Sequence, residues 1–271
     1  MPELPEVETT RRAIEPILSG KTAVAIRVFN ANLRLPIPKE ALSKLVGERL
    51  LTVRRRAKYL LLEYQTGTVI IHLGMSGSLR VVKRSSDLHK HDHIEIDHGA
   101  TRCLRLRDPR RFGMVIWTDK NPLKHRLLKH LGPEPLSENF TTEFLWKKSK
   151  GRKTPVKNFL MNGRIVVGIG NIYASEALFR ASIHPRRCAG RISKKRYAEL
   201  SRHIKILLQE AIASGGTTLK DFAKNDGEPG YFKQNLQVYG KSGYPCPKCK
   251  APIRSEVIGQ RSSFYCVKCQ Y

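Results

Sequence analysis

The sequence predicts an α+β protein with an N-terminal β-sandwich flanked by helices, a helical region after it, and a C-terminal zinc finger. Three observations lead there. Short runs rich in branched residues fill positions 24–118, helical periodicity replaces them after Trp117, and two Cys-x-x-Cys pairs close the chain. The 271 residues suit about two domains at roughly 150 residues each.

The first element is a helix over residues 5–18. Pro5 fits a first helical turn, and Val7, Ile14 and Leu18 fall on one face. The strand region follows. Thr68-Val-Ile-Ile-His-Leu73, Leu79-Arg-Val-Val82, His93-Ile-Glu-Ile96 and Cys103-Leu-Arg-Leu106 are short, partly alternating, and punctuated by Gly74, Gly77 and Gly99. Several such strands in succession predict a sandwich. Residues 123–131, 141–148, 155–161 and 171–181 read as short helices, the last entered through Gly168-Ile-Gly170. The strongest helix is 193–213, where Tyr197, Leu200, Ile204, Leu207, Leu208, Ala211 and Ile212 form one stripe that stops at Ser214-Gly-Gly216. Residues 217–240 lack periodicity and read as a long loop, a feature usually functional or disordered.

Charge narrows the function classes. Fifty Lys and Arg against 23 Asp and Glu give a net +27, which calls for a polyanion. Mean hydropathy of −0.39 and short apolar runs exclude a membrane-spanning chain. The positive charge runs along the whole chain, which favours nucleic acid over a membrane surface; a solvated basic surface is the plainer alternative. The acidic, proline-rich opening Met1-Pro-Glu-Leu-Pro-Glu6 is unlike a signal peptide.

Cys246, Cys249, Cys266 and Cys269 stand as two pairs separated by sixteen residues, the spacing of a two-knuckle zinc site. Two disulfides would need an oxidising compartment. Four protein ligands leave no open position, so one Zn²⁺ here is structural, and its binding supplies folding energy on the order of 10 kcal/mol. Cys103 and Cys188 read as unpaired thiols. Gln260-Arg-Ser-Ser263 lies between the knuckles, at the tip of the expected hairpin, where Arg261 is either a phosphate ligand or a solvated charge.

Removal of Met1 would leave Pro2 as a secondary α-amine, with a reference pKa near 8 and a useful neutral fraction at physiological pH. Glu3 beside it suggests amine attack on a sugar C1′ with an acid assisting. Ordinary helix capping explains the same acidic residues.

The motifs combine. The opening Met1-Pro-Glu-Leu-Pro-Glu-Val-Glu-Thr-Thr-Arg-Arg12 is followed by Arg55-Arg-Ala-Lys-Tyr-Leu-Leu-Leu62 and His72-Leu-Gly-Met-Ser-Gly-Ser-Leu-Arg80. Asp108-Pro-Arg-Arg-Phe-Gly113, His130-Leu-Gly-Pro-Glu-Pro135, Gly168-Ile-Gly-Asn-Ile-Tyr-Ala-Ser-Glu176 and Gly216-Thr-Thr-Leu219 precede the cysteine pairs. From Pro2 to Gln270 the chain closely resembles the bacterial formamidopyrimidine-DNA glycosylases, also called 8-oxoguanine-DNA glycosylases.

The resemblance implies three domains: a catalytic β-sandwich domain over 1–132, a helix-two-turns-helix DNA-binding domain with a lesion loop over 133–240, and a zinc finger over 241–271. DNA would lie across the cleft between domains. It implies a bifunctional enzyme of base excision repair that excises oxidised purines and then cleaves the strand by β- and δ-elimination. Pro2 is then the Schiff-base nucleophile, Glu3 the acid, Lys58 the helper of β-elimination and a phosphate contact, and Arg261 a phosphate ligand and the acid for δ-elimination. Met75, Arg110 and Phe112 would enter the duplex as the damaged base leaves. His72, His91, Arg152, Asn171 and Tyr173 stand at expected DNA contacts, with Arg152 where lysine is the family's residue. Glu6 is expected to back the site without touching substrate, and the loop Thr217–Tyr231 to cover the flipped base. Double-stranded DNA bearing an oxidised base is the partner. A monomer in the bacterial cytoplasm, associated with the nucleoid, is the expected state.

Two rival readings differ in class. An endonuclease VIII-like enzyme for oxidised pyrimidines shares the architecture, but the Leu4 and Val7-Glu8 context and the Asp108–Phe112 run match the purine branch. A non-catalytic zinc-ribbon DNA-binding protein explains charge and cysteines but leaves Pro2-Glu3, Lys58 and Gly168–Glu176 without a role. A dinucleotide-binding loop at Gly168 fails because Tyr173 occupies its third glycine position.

Overall fold

Helix α1 spans Leu4–Leu18 in the computed structural model, which describes residues 1–99, 101–216 and 232–271. Pro5 sits in its first turn, where a missing N–H costs nothing. Leu4, Val7, Ile14 and Leu18 are its buried apolar face, as the spacing predicts. The described residues divide into two units: residues 1–129 with 214–216, and residues 130–213 with 232–271.

The first unit is the sandwich. Strands β1 (Ala25–Val28), β6 (Asp92–Asp97), β7 (Arg102–Arg107) and β5 (Ser78–Lys83) make one antiparallel sheet in that order. Strands β2 (Leu50–Arg56), β3 (Tyr59–Tyr64), β4 (Thr68–His72) and β8 (Met114–Thr118) make the other. Leu60, Leu62, Val69, Ile71 and Val115 from one sheet meet Leu79, Ile94, Ile96, Leu104 and Leu106 from the other in one core. The period-2 alternation of each strand sends those side chains inward. A short helix, α2 (Lys39–Ser43), interrupts the strand region where the sequence predicts none.

The outward face of β6 departs from a solvated one. Glu95 accepts from Arg105 Nη2 at 2.6 Å and Arg27 Nη1 at 2.5 Å, while Asp92 accepts from Arg107 Nε at 2.9 Å. Burial opposes ionisation of both carboxyls, but the arginine bonds outweigh it and hold both below the usual carboxylate range.

The second unit holds α3 (Thr142–Ser149), α4 (Val156–Met161), α5 (Asn171–Arg180) and α6 (Lys194–Ala213). The whole predicted stripe of α6 is buried. The chain leaves α6 through Gly215 and Gly216 at φ +75° and +81°, a left-handed exit that only glycine adopts freely. Hairpin β9 (Arg254–Ile258) and β10 (Arg261–Tyr265) forms the zinc segment. Phe179, Val238, Cys246, Ile253 and Cys266 form its core.

The helix expected over 123–131 is not formed. A 3₁₀ turn covers Pro122–Lys124, His125 is extended at ψ 144°, and one further turn ends before Leu131-Gly132-Pro133. Asn121 caps only this short piece, through Oδ1 accepting from the Leu123 N–H. The predicted lesion loop Thr217–Tyr231 lies outside the described residues. Among the described residues no helix is long and apolar enough to cross a membrane.

Candidate active site and nucleic-acid interface

The head of α1 is a closed cap. Glu3 is the N-cap, and its carboxylate accepts from the backbone N–H of Glu6 while Glu6 Oε2 accepts from the Glu3 N–H at 2.8 Å. This reciprocal box satisfies two orphan donors of the first turn. Glu3 is 2 % exposed and Pro2 is buried beside it. The cap fixes where the Glu3 carboxyl sits. Gly216, at φ +81°, lies against Glu6, with room for a Cβ only 3.2 Å from Oε1.

Lys58 occupies a two-residue turn between β2 and β3, closed by the Arg56–Tyr59 pair. Next to it in the fold, His72 ends β4. Its Nδ1 accepts from the Gly74 N–H at 3.0 Å, so Nε2 carries the proton of the neutral ring. Burial first, then Lys58 and Arg34, push this imidazole down to about 4. His72 is therefore a neutral ring with Nε2–H as its free donor position.

Met75 and the Arg110–Phe112 run stand on two loops fastened by Asp108. Its Oδ1 accepts from Ser76 Oγ at 2.8 Å and its Oδ2 from the Gly113 N–H at 2.7 Å. The Arg110 N–H donates to Ser76 Oγ at 3.2 Å, and His93 Nε2 pairs with the Asp108 carbonyl at 2.8 Å. Gly74, at φ +63°, lets the loops touch, because a Cβ there would collide with the Phe112 backbone. The loops present Arg110 with its guanidinium 5.2 Å from the Phe112 ring, and that ring is 44 % exposed. An exposed aromatic on a pinned loop has the form of a wedge. Met75 is half-buried, as is His91, whose carbonyl accepts from the Asp108 N–H.

In the second unit, α5 starts at Asn171 with Gly170 as N-cap. Asn171 Nδ2 donates to the Ser262 carbonyl at 2.9 Å, tying the helix start to β10. Lys157 donates to the same carbonyl at 3.0 Å and to Ser263 Oγ at 2.6 Å, and is 0 % exposed. Arg261 is exposed and opens β10 beside the turn Gly259-Gln260, where both residues have positive φ (+57° and +62°). The tip is therefore Gly259-Gln260, with Arg261 flanking it. Arg152 is exposed, with Nε donating to the Lys148 carbonyl at 2.6 Å.

Tyr173 is 1 % exposed and belongs to the buried face of α5, with its backbone in the first turn of the helix. Three residues whose roles sequence reasoning missed organise the rest: Asp108, Lys157 and Glu176. Glu176, wholly buried, accepts from the N–H groups of Gln237, Val238 and Tyr239 at 2.8–2.9 Å. A buried acid or lysine amid apolar neighbours was the available signal.

Cys246, Cys249, Cys266 and Cys269 bring their sulfurs within 4.8 Å of one another. The Cys246–Cys269 and Cys249–Cys266 separations are 3.8 and 3.5 Å. Tetrahedral ligands about 2.3 Å from zinc lie about 3.8 Å apart, whereas a disulfide needs about 2.05 Å. The four thiols fit one Zn²⁺ and leave no place for a substrate on it.

Known proteins match along the whole chain. Residues 1–115 match the formamidopyrimidine-DNA glycosylase N-terminal domain, 131–223 the formamidopyrimidine-DNA glycosylase H2TH domain, and 243–270 a zinc finger found in FPG and IleRS. Formamidopyrimidine-DNA glycosylases of Nitrosococcus oceani and Syntrophotalea carbinolica are 55 % and 54 % identical over 271 and 270 residues, covering all of both chains. The MutM (Fpg) protein from Thermus thermophilus superposes with TM-score 0.89 at 36 % identity, over 99 % of this chain and 98 % of that one. Lactococcus lactis Fpg in complex with DNA containing an abasic site gives 0.90 at 33 %, over 99 % of each chain. With full-length identity above half and all three domains in order, the chain belongs to the formamidopyrimidine-DNA glycosylase family.

Proposed function

We propose that this protein is a bifunctional DNA glycosylase and abasic-site lyase of base excision repair, acting on oxidised purines such as 8-oxoguanine and formamidopyrimidines in duplex DNA. The observation that carries the reading is the α1 head, where Pro2 stands beside a buried carboxyl fixed by a reciprocal cap.

The chemistry needs one amine. With Met1 removed, the Pro2 nitrogen attacks C1′ of the extruded nucleotide and the C1′–base bond breaks; the base leaves with its electron pair and takes up the proton that the alkylated Pro2 nitrogen gives up. Glu3 supplies a proton to the sugar ring oxygen as the ring opens, giving an iminium between Pro2 and C1′. That iminium acidifies the C2′ hydrogen. Its loss breaks the C3′–oxygen bond, a second elimination breaks the C5′–oxygen bond, and water releases the sugar fragment from Pro2.

Lys58 assists the first elimination and binds phosphate. Arg261 binds phosphate and gives the proton in the second. Met75 and Phe112 fill the gap left by the base and Arg110 hydrogen-bonds the estranged cytosine, while His72, His91, Arg152, Asn171 and the backbone at Tyr173 contact the DNA strands. These contacts offset part of the few kcal/mol that base extrusion costs. Zinc holds the hairpin that carries Arg261. The functional divisions run over 1–132, 133–240 and 241–271, and the enzyme works as a monomer at the bacterial nucleoid.

Borohydride trapping on a duplex with 8-oxoguanine opposite cytosine, in EDTA, tests this. The wild type should give a covalent adduct at Pro2 and Pro2→Gly a marked loss. Tight binding without an adduct, after confirmed removal of Met1, would overturn it.

A further inference from the structure

Lys58 stands in a turn that the sequence does not stabilise by itself. Ala57 and Lys58 are the two loop residues between paired Arg56 and Tyr59, and Ala57 has φ +55°. Positive φ at the first loop residue is a position that favours glycine, and an L side chain there is strained. Ala57 is nonetheless buried, and its carbonyl accepts from Arg55 Nη1 at 2.9 Å. That carbonyl belongs to the peptide joining Ala57 to Lys58, so the bond fixes the plane from which Lys58 departs.

Arg55 is itself held. Its Nε donates to Glu8 Oε2 at 3.1 Å, and both side chains are largely buried. Glu8 also receives Arg11 Nη2 at 3.0 Å and Arg12 Nε at 2.9 Å. Burial opposes ionisation of Glu8, yet the bonds from Arg11 and Arg12 outweigh it and keep its carboxyl below the usual range. The carboxylate is thus a fixed anchor. It lies on α1 five residues beyond Glu3, about 7.5 Å along the axis from the capped head.

We propose that Glu8 and Arg55 are positioning residues that set Lys58 at a fixed place relative to the Pro2–Glu3 head, by joining α1 to the peptide that carries Lys58. The proposal rests on the reading of Lys58 as a group used in strand cleavage. A turn optimised for stability alone would carry glycine at Ala57. This one keeps the strained residue and braces it from the helix whose N-cap directly follows Pro2.

The test is single-turnover nicking of a duplex carrying one preformed abasic site, with borohydride trapping run in parallel. Arg55→Met should slow nicking by about ten- to a hundredfold, the scale of a misplacement near 1 Å. Trapping at Pro2 should fall far less, which also reports an intact α1 head. Glu8→Gln should give the same pattern more weakly, and Arg55→Lys, which reaches one partner but not both, should recover part of the loss. In a Lys58→Ala background, Arg55→Met should add no further defect. Multiplying defects, or normal nicking by Arg55→Met, would overturn the proposal.

Competitive acetylation followed by mass spectrometry reads Lys58 placement without activity. Arg55→Met should change the Lys58 labelling rate several-fold relative to distant lysines, and an unchanged rate refutes the positioning. If Lys58→Ala nicks at the wild-type rate, the role of Lys58 in cleavage fails, and the labelling arm alone then decides the positioning.

Discussion

Glu176→Gln changes one atom of a buried group and should unfasten a segment far along the chain. The carboxylate takes three backbone donors: Val238 at 2.9 Å and Tyr239 at 2.8 Å on Oε1, Gln237 at 2.9 Å on Oε2. A glutamine keeps its oxygen at the Oε1 position, since the reverse orientation would set NH₂ against two donors. Its nitrogen then faces the Gln237 N–H. One charge-assisted bond worth about 1.5–3 kcal/mol is lost and a buried donor is orphaned, while two bonds weaken from charged to neutral. The cost is about 3–5 kcal/mol against a total stability of about 5–15 kcal/mol.

The damage is local first, because Val238 belongs to the same core as Phe179, Cys246, Ile253 and Cys266. Native-state hydrogen exchange should show the amides of Gln237, Val238 and Tyr239 losing about a hundredfold or more of their protection. Urea unfolding should move to a lower midpoint. Unchanged protection at those three amides, with an unchanged midpoint, would refute the assignment of Glu176 as their anchor.

Other outcomes follow from the same geometry. Lys157→Met removes the bonds of its ammonium to the Ser262 carbonyl and Ser263 Oγ and leaves that of Asn171 to the Ser262 carbonyl in place; it should cost about 1–3 kcal/mol. On an abasic duplex it should lower the ratio of δ- to β-elimination product, and an unchanged ratio would separate Lys157 from Arg261. Cys249→Ser, or stripping of zinc, removes folding energy of about 10 kcal/mol from the hairpin. DNA affinity by fluorescence anisotropy should collapse, while trapping at Pro2 survives at high enzyme concentration. Gly74→Ala strains a φ of +63° and pushes on the Phe112 backbone; excision of 8-oxoguanine should fall at least about tenfold, with nicking of a preformed abasic site largely spared. Burial pushes His98 down to about 4, and burial with Lys58 and Arg34 does the same for His72. Unfolded rings titrate near 6.5, so the unfolded chain takes up protons first as pH falls. Stability is therefore full above pH 6.5 and drains toward pH 4, by about 2 kcal/mol per histidine at pH 5. Urea midpoints that stay level between pH 7 and pH 5 would contradict both burials.

What the sequence displayed was local. Ile94 and Ile96 alternate with polar neighbours, and β6 forms with them inward. The α6 stripe buries whole, and the cysteine spacing places four sulfurs in one cluster. The failures are equally physical. Periodicity at 123–131 suits a helix, but Pro122 and Asn121 start a 3₁₀ turn that His125 ends, so no nucleus of the needed length forms. Glu95 on β6 has its face closed by Arg27, 68 positions away. Lys157 sits 105 residues before Ser262. No window of local pattern contains such partners, so a buried charge is visible in sequence only as an anomaly whose answer lies elsewhere. Tyr173 shows the other side of this: the motif that carries it does not reveal that its ring is buried in the core.

Four of the buried carboxylates act as joints. Glu6 accepts the Glu3 N–H at the head of α1, Glu8 holds the arginine that braces the Lys58 turn, Asp108 joins the two wedge loops, and Glu176 gathers three amides. Each fixes backbone within a few residues of one that the proposed chemistry uses or of the zinc core. In a chain of net charge +27, an unbraced loop of arginine and lysine would be held apart by its own repulsion. A buried carboxylate opposes that repulsion at a point, and its desolvation cost is met only while its donors stay in place. The joints thus fix the backbone, and the side chains proposed to meet DNA, such as Arg110 and Phe112, stand exposed on loops held at their bases. It follows that neutralising a joint should harm catalysis more than deleting one peripheral phosphate contact. Asp108→Asn against Arg152→Ala, compared for 8-oxoguanine excision at saturating enzyme, puts the two in order; a larger loss in Arg152→Ala would show that contacts, not joints, set the rate.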